Sequence, residues 1–134
     1  MEVSNTFGPI DIAISGMRAQ NKQMEAITSN AINIHTTDNG RGEPYRRIEA
    51  IFKADDDDIS GVSLDKIAKD TSDFYKVLKP GHPDADENGY VMMPNVDLAT
   101  EMINLKSATR AYQANVAILK RYQKMVETTL ELLR

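Results

Sequence analysis

Apolar residues in the last third of the chain recur at alternating steps of four and three. Leu98, Met102, Leu105, Thr109, Tyr112, Val116, Leu119, Gln123, Val126, Leu130 and Leu133 make up this line, with only Thr109 and Gln123 polar. The spacing is a heptad seam held for about five repeats. No Pro or Gly interrupts it, so it predicts one helix of about 50 Å at 1.5 Å rise per residue. A second line, Ala111, Ala114, Ile118, Tyr122, Met125, Thr129 and Leu132, lies about 120° round the same helix. Apolar side chains therefore cover more surface than one two-stranded seam requires. The charges follow the helix macrodipole. Asp97 and Glu101 stand at the start, and Lys120, Arg121, Lys124 and Arg134 towards the end. A helix this long in a chain of 134 residues needs a partner, either elsewhere in the chain or in a second copy.

The N-terminal segment mirrors it. Ile10, Ala13, Met17, Gln20, Met24, Ile27, Ala31 and Ile34 repeat at three and four, which predicts a shorter helix antiparallel to the first. Pro9 suits the first helical turn, where its missing N–H costs nothing. Asp38, Asn39 and Gly40 signal the turn after it, and Gly42 with Pro44 keeps the helix from resuming. Gly16 reads as an internal weak point, worth up to about 1 kcal/mol against Ala.

Between the helices the period changes to two. Ile48, Ala50 and Phe52 alternate as in a strand, and Val62 with Leu64, the 74–78 stretch and the 90–92 stretch suggest two or three more short ones. Lys79-Pro80-Gly81-His82-Pro83 is a rigid bend. This middle has little apolar content, so its fold is expected to depend on the helices beneath it. The architecture that follows is mainly α: an antiparallel, coiled-coil-like pair of long N- and C-terminal helices with a small β-containing central insert. The divisions are residues 1–37, 38–96 and 97–134.

Charge and composition mostly exclude. Residues 1–37 carry three acids and two bases, residues 38–90 thirteen and eight, and residues 91–134 four and six, for a net −4. An acidic chain with no basic cluster argues against nucleic acid. The absence of cysteine removes disulfides, thiol chemistry and cysteine-ligated zinc. The start of the chain has no basic region followed by an apolar run, so no cleaved signal is expected, and no apolar run is long enough to insert in a membrane. The run Asp55-Asp56-Asp57-Asp58 reads as a solvated loop. Two stretches imitate calcium loops. Asp84, Asp86, Asn88 and Gly89 fit the first half of one, but Asn95 stands where a bidentate Glu belongs, and the partial match from Asp56 ends on Ile67. Both are expected to be turns, and changing Asp86 to Ala is expected to be nearly neutral. His35 and His82 are the only histidines, and no nucleophile elbow or Gly-rich phosphate loop is present. The reading is a protein without catalytic, cofactor-binding or metal residues.

Two short motifs add what periodicity does not. Ser29-Asn30-Ala31-Ile32-Asn33, followed by Pro44-Tyr45-Arg46, and Arg110-Ala111-Tyr112-Gln113-Ala114-Asn115-Val116 resemble the N- and C-terminal signatures of the bacterial flagellar rod and hook axial proteins. Residues 80–96, with Glu101-Met102 after them, resemble a stretch peculiar to a proximal-rod member of that group. Together these cover both helices and the junction before the second. The chain departs at His35 and in the variable acidic run.

The resemblance implies a structural subunit of the proximal rod in the flagellar basal body. Such a protein is exported by the flagellar type III apparatus without a cleaved signal and assembled helically across the periplasm to transmit motor torque. Its implied partners are other copies of itself, neighbouring rod proteins and the export apparatus. Ser29, Asn30, Asn33, Tyr45, Arg110, Tyr112, Gln113, Asn115 and Val116 are the motif residues. Asn30, Asn33, Gln113 and Asn115 are expected to fix register between neighbours. Ile118, Tyr122 and Met125, on the second line, are expected to meet other subunits, while Tyr112 and Val116 pack near residues 17–24. A helical adaptor exposing the C-terminal seam to one partner is the alternative. It would be ordered alone, where a rod subunit would have frayed ends.

Overall fold

A computed structural model describes residues 8–55 and 61–134. The N-terminal export expectation falls partly on residues 1–7, and most of the acidic run on 56–58, outside the described residues. Two long helices flank a small antiparallel β region. Helix α1 spans Gly8–Ile32, with Pro9 in its first turn. It ends sooner than the turn signals at 38–40 suggest, in a turn over residues 33–35 that the Asn33 side chain braces. The Asn33 side chain donates to the Ser29 carbonyl at 2.9 Å and the Asn33 N–H to the same oxygen at 3.1 Å. An amide side chain that satisfies the last carbonyls this way competes with helix continuation. Ile34 consequently lies beyond the helix.

Helix α2 spans Leu98–Leu132. Asp97 caps it, accepting from the Thr100 N–H at 3.0 Å. The Thr100 hydroxyl also donates to Asp97, and these two bonds hold the carboxyl below the usual carboxylate range. The helices run antiparallel: Asn30 faces Glu101, Met24 faces Thr109 and Gly16 faces Asn115. Ala13, Ala19, Ala26 and Ile27 of α1 and Ala108 of α2 are buried between or beneath them. Small side chains let the two backbones approach closely.

The contact face of α2 is displaced from the predicted seam. It is centred on Glu101, Ala108 and Asn115, between the two predicted apolar lines, with Leu105, Tyr112 and Leu119 half-buried on one flank and Ala111 and Tyr122 on the other. Leu98 and Met102, which open the predicted seam, are 47% and 43% exposed. A hydropathy pattern follows large apolar residues, and here the axis of contact is occupied by small and polar ones.

The insert forms two separate two-stranded ribbons. β1 (Ile48–Ala54) pairs with β2 (Val62–Lys69), and a bulge leaves Asp65 unopposed where Ile51 faces Lys66 and Phe52 faces Leu64. β3 (Tyr75–Leu78) pairs with β4 (Tyr90–Met93). All four strands fall where the alternation places them. The first ribbon lies on α1. Ser15 of α1 accepts from the Val62 N–H at 3.2 Å, and a Cβ on Gly61, at φ +94°, would sit 2.2 Å from the Ser15 hydroxyl. The bend after β3 is a Pro-Gly turn: Gly81 has φ +89° and His82 N–H donates to the Lys79 carbonyl. The insert's core consists of Ala50, Val91, Met93 and Val96, with Pro94 beside them.

Candidate functional site

The densest chemistry in the chain is a polar junction where α1, β1, α2 and the loops between them meet. Asn30, in the last turns of α1, is fully buried. Its Oδ1 accepts from the Ile48 N–H at 2.9 Å and the Tyr45 hydroxyl at 3.0 Å. Its Nδ2 donates to the Ile48 carbonyl at 2.9 Å and to Glu101 Oε2 at 3.3 Å. Two donors and two acceptors are what a primary amide has to offer, and all four are used. By pairing with both backbone groups of Ile48, the side chain does for β1 what a neighbouring strand would. The Tyr45 hydroxyl, having given its proton to Asn30, accepts from Ser29 at 3.1 Å.

Glu101 is also fully buried. Its Oε1 takes a 2.6 Å hydrogen bond from Arg47 Nε. The Arg47 guanidinium lies 3.6 Å from both Glu49 and Asp70. Burial pushes the Arg47 pKa down, but the bond to Glu101 and the charges of Glu101, Glu49 and Asp70 outweigh it and hold the group above its ordinary value. The Arg47 N–H donates to Asn95 Oδ1 at 2.8 Å, and Asn95 Nδ2 donates to the Ser72 hydroxyl at 3.0 Å. Asp70 accepts from the Ser72 N–H at 2.8 Å. That bond, the Ser72 hydroxyl and the nearby arginines keep its carboxyl low against a smaller opposing effect of burial. Among the described residues no buried side-chain nitrogen or oxygen lacks a partner.

Four of the motif residues, Ser29, Asn30, Asn33 and Tyr45, are thus brought together at this junction. The others lie along α2. Asn115 sits against Gly16 so closely that a Cβ there would be 2.7 Å from its Nδ2. Gly16 is therefore a point of close helix approach as well as a propensity loss. The amides of Asn30 and Asn115 meet groups of their own chain, where contact with a neighbouring subunit was expected. Asn33 turns back on Ser29. Tyr112, Val116 and Tyr122 are half-buried, whereas Arg110 and Gln113 are exposed. Arg47, Glu101 and Asn95 complete the junction and were not singled out from sequence as a cluster. The signal available was Glu101 itself, an acid between Leu98 and Leu105 at steps of three and four in an apolar seam.

At the opposite end of the molecule, among the described residues, α2 outruns its partner. α1 has 25 residues and α2 has 35. In the observed register residues 123–134 lie past Gly8, and every one of them is exposed. Val126, Leu130 and Leu133 continue the α1-facing side at 40%, 62% and 80% exposure, while Ile118, Met125 and Leu132 form an exposed stripe beside it. The calcium-like stretch is a turn: Asp86 accepts from the Asn88 and Tyr90 N–H groups, each at 2.9 Å. Its carboxylate therefore has a structural task that the expectation of a neutral Asp86→Ala overlooked. Among the described residues no three metal-ligating side chains gather, and no helix is long and apolar enough to cross a membrane.

Near-full-length relatives decide what this arrangement belongs to. The flagellar basal-body rod protein FlgC of Salmonella typhimurium is 38% identical over 98% of both chains. Those of Agrobacterium fabrum (36%, 92% of this chain and 91% of the relative) and Bacillus subtilis (34%, 94% and 97%) align almost as fully. The chain belongs to the FlgC family of flagellar basal-body rod proteins. Residues 87–132 also match the family described as flagellar basal body rod FlgEFG protein C-terminal. That match covers β4, the buried Asn95 and Glu101, and the length of α2. As a FlgC-family member the chain is a structural protein of the flagellar rod and not an enzyme. Its polar junction has a mechanical reading: the buried amide and ion pair join both helices and the insert into one body.

Proposed function

We propose that the chain is a subunit of the proximal rod, exported by the flagellar type III apparatus and stacked helically with other copies of itself and with neighbouring rod proteins across the periplasm. The segments 1–37 and 97–134 are its axial parts, whose helices α1 and α2 pair in coiled-coil-like fashion, and residues 38–96 are an insert carried on them. The observation that carries the reading is the far end of α2, where an apolar seam and the Ile118/Met125 stripe stand uncovered in a member of a rod-protein family. Apolar surface of that kind marks a protein–protein contact. Tyr112 and Val116 hold the intrachain side, while Ile118, Met125 and the seam beyond residue 123 meet other subunits. The polar junction keeps the insert at a fixed angle to the axial helices, so that torque passes through a rigid body.

The test is paired. Ile118→Asp and Met125→Asp place a charge where burial against a neighbour costs several kcal/mol. Each purified variant should melt within about 0.5 kcal/mol of the parent, as exposed changes do. Cells carrying it should fail to complete rods and to swim. A variant that is clearly destabilised alone would favour a self-contained bundle or adaptor. One that assembles normally would show that the stripe contacts nothing of consequence.

A further inference from the structure

The rod reading leaves open what receives the exposed stripe of α2, and the insert carries a surface shaped for it. On the β3–β4 ribbon, Tyr90 stands opposite Leu78 and Met92 opposite Lys76, so these side chains share one face. Val91 and Met93, on the other face, are buried, while Leu78, Tyr90 and Met92 are 56%, 43% and 38% exposed. Beside Met92 the ribbon adjoins a groove of about 340 Å³, floored by Pro44, Phe74 and Met92 and rimmed by Asp38, Glu43 and Asp84. The surface is therefore an apolar strip of Leu78, Tyr90 and Met92 interrupted by Lys76, with a carboxylate edge at Asp38, Glu43 and Asp84 and Arg46 stacked on Phe74. A fitting occupant is an amphipathic helix with apolar anchors about one turn apart and basic residues alongside.

This chain contains such a helix. Between Glu101 and Glu127, α2 carries Lys106, Arg110, Lys120, Arg121 and Lys124 and no acid. Arg121 falls between Ile118 and Met125 on the exposed stripe, with Lys124 next to it. The contact cannot close within one molecule. The groove follows the C-terminal end of α1, whereas Arg121 lies opposite its N-terminal end, about 37 Å away for a 25-residue helix. Resting on the rod-subunit reading, we propose that the Leu78/Tyr90/Met92 strip and its acidic groove receive residues 118–125 of a second copy of this chain. Arg121 and Lys124 face Glu43 and Asp84, and Ile118 and Met125 lie on Met92 and Tyr90. Donor and acceptor surfaces differ and sit at opposite ends, so the contact is heterologous and propagates from copy to copy instead of closing a dimer. Complementary charge also sets the orientation of the helix on the strip.

The native chain has no cysteine, which makes site-specific cross-linking clean. Two differently tagged copies, one Glu43→Cys and one Lys124→Cys, are expressed together in cells lacking the unmodified protein, and basal bodies are recovered and mildly oxidised. The expected product is a disulfide-linked dimer carrying both tags, at least tenfold above that from Glu43→Cys paired with Lys22→Cys. No mixed dimer, or equal yields for the two pairs, overturns the assignment. An adduct of another mass identifies a different rod protein as the occupant and overturns the choice of a second copy. If cysteine variants do not assemble, charge reversal decides: Glu43→Lys should abolish swimming and Lys124→Glu in the same chain should restore it, and failure to restore overturns the pairing. Should Ile118→Asp block assembly while the cross-link is absent, the acceptor is wrong and the rod reading stands.

Discussion

Breaking the Arg47–Glu101 pair from its two sides should have unequal costs. Glu101 is 0% exposed and Arg47 17%, with a 2.6 Å bond between them. Replacing Arg47 by Leu leaves a carboxylate in a dry site with only the 3.3 Å bond from Asn30. Removing one partner of a buried pair costs about 3–5 kcal/mol. Replacing Glu101 by Leu leaves a guanidinium that still has Glu49 and Asp70 at 3.6 Å and some access to water, and its cost should be nearer 2 kcal/mol. In the Glu101→Leu variant Asn30 Nδ2 keeps the Ile48 carbonyl but loses the partner of its second N–H, and the figure of about 2 kcal/mol includes that loss. The double variant should recover at least about 1.5 kcal/mol relative to the sum of the singles, because a buried pair exchanged for apolar residues is close to neutral. The assay is urea unfolding of the purified full chain followed by circular dichroism at 222 nm. With a typical stability of about 5–15 kcal/mol, Arg47→Leu should move the midpoint far below that of Glu101→Leu. Equal costs, the reverse order, or additivity of the two changes would refute the argument that the fully buried carboxylate is the critical charge.

Four further outcomes follow from particular contacts. Gly16→Ala alone should gain less than the roughly 1 kcal/mol helix propensity offers, because its Cβ meets Asn115; in an Asn115→Ala background the full gain should appear in thermal melts. Gly61→Ala should cost distinctly more than Gly40→Ala, since both have positive φ but only Gly61 abuts Ser15. Asp86→Ala should cost about 1 kcal/mol, the usual loss when a side chain capping two backbone N–H groups is removed; no change in melting would show the turn is held by Gly81 and Gly89 alone. Asp70 and Asp97 have lowered pKa values, so the stability they lend is complete above the unfolded value of about 4. It is lost as pH falls through the lower folded values, and unfolding curves should show no dependence on these two groups between about pH 5 and 8.

What the sequence made legible is what periodicity encodes. Both helices follow from the three-four repeats, and the strands fall on the short stretches between them where the period changes to two. The line of contact between the helices does not, because Glu101, Ala108 and Asn115 occupy it and a hydropathy pattern passes over small and polar positions. Ser29, Asn30, Asn33 and Tyr45 were picked out by motif, yet their geometry depends on residues 18 and 71 positions away from Asn30 in sequence. No local pattern announces that an amide on α1 will serve as the neighbour of a strand. The bend at Pro80-Gly81 was readable because Pro and Gly restrict the backbone locally. The end of α1 falls ahead of the turn signals at 38–40 because no Gly or Pro marks the turn over residues 33–35.

The claim at the centre of this account is that the uncovered end of α2 is buried between subunits of the flagellar rod. A density map of assembled basal bodies resolving side chains in the proximal rod tests it most directly. This chain should appear there in several copies, with Ile118, Met125, Val126, Leu130 and Leu133 packed on another subunit and the Asn30–Glu101–Arg47 junction intact within each copy. A rod in which residues 118–133 face solvent, or from which the chain is absent, would contradict it.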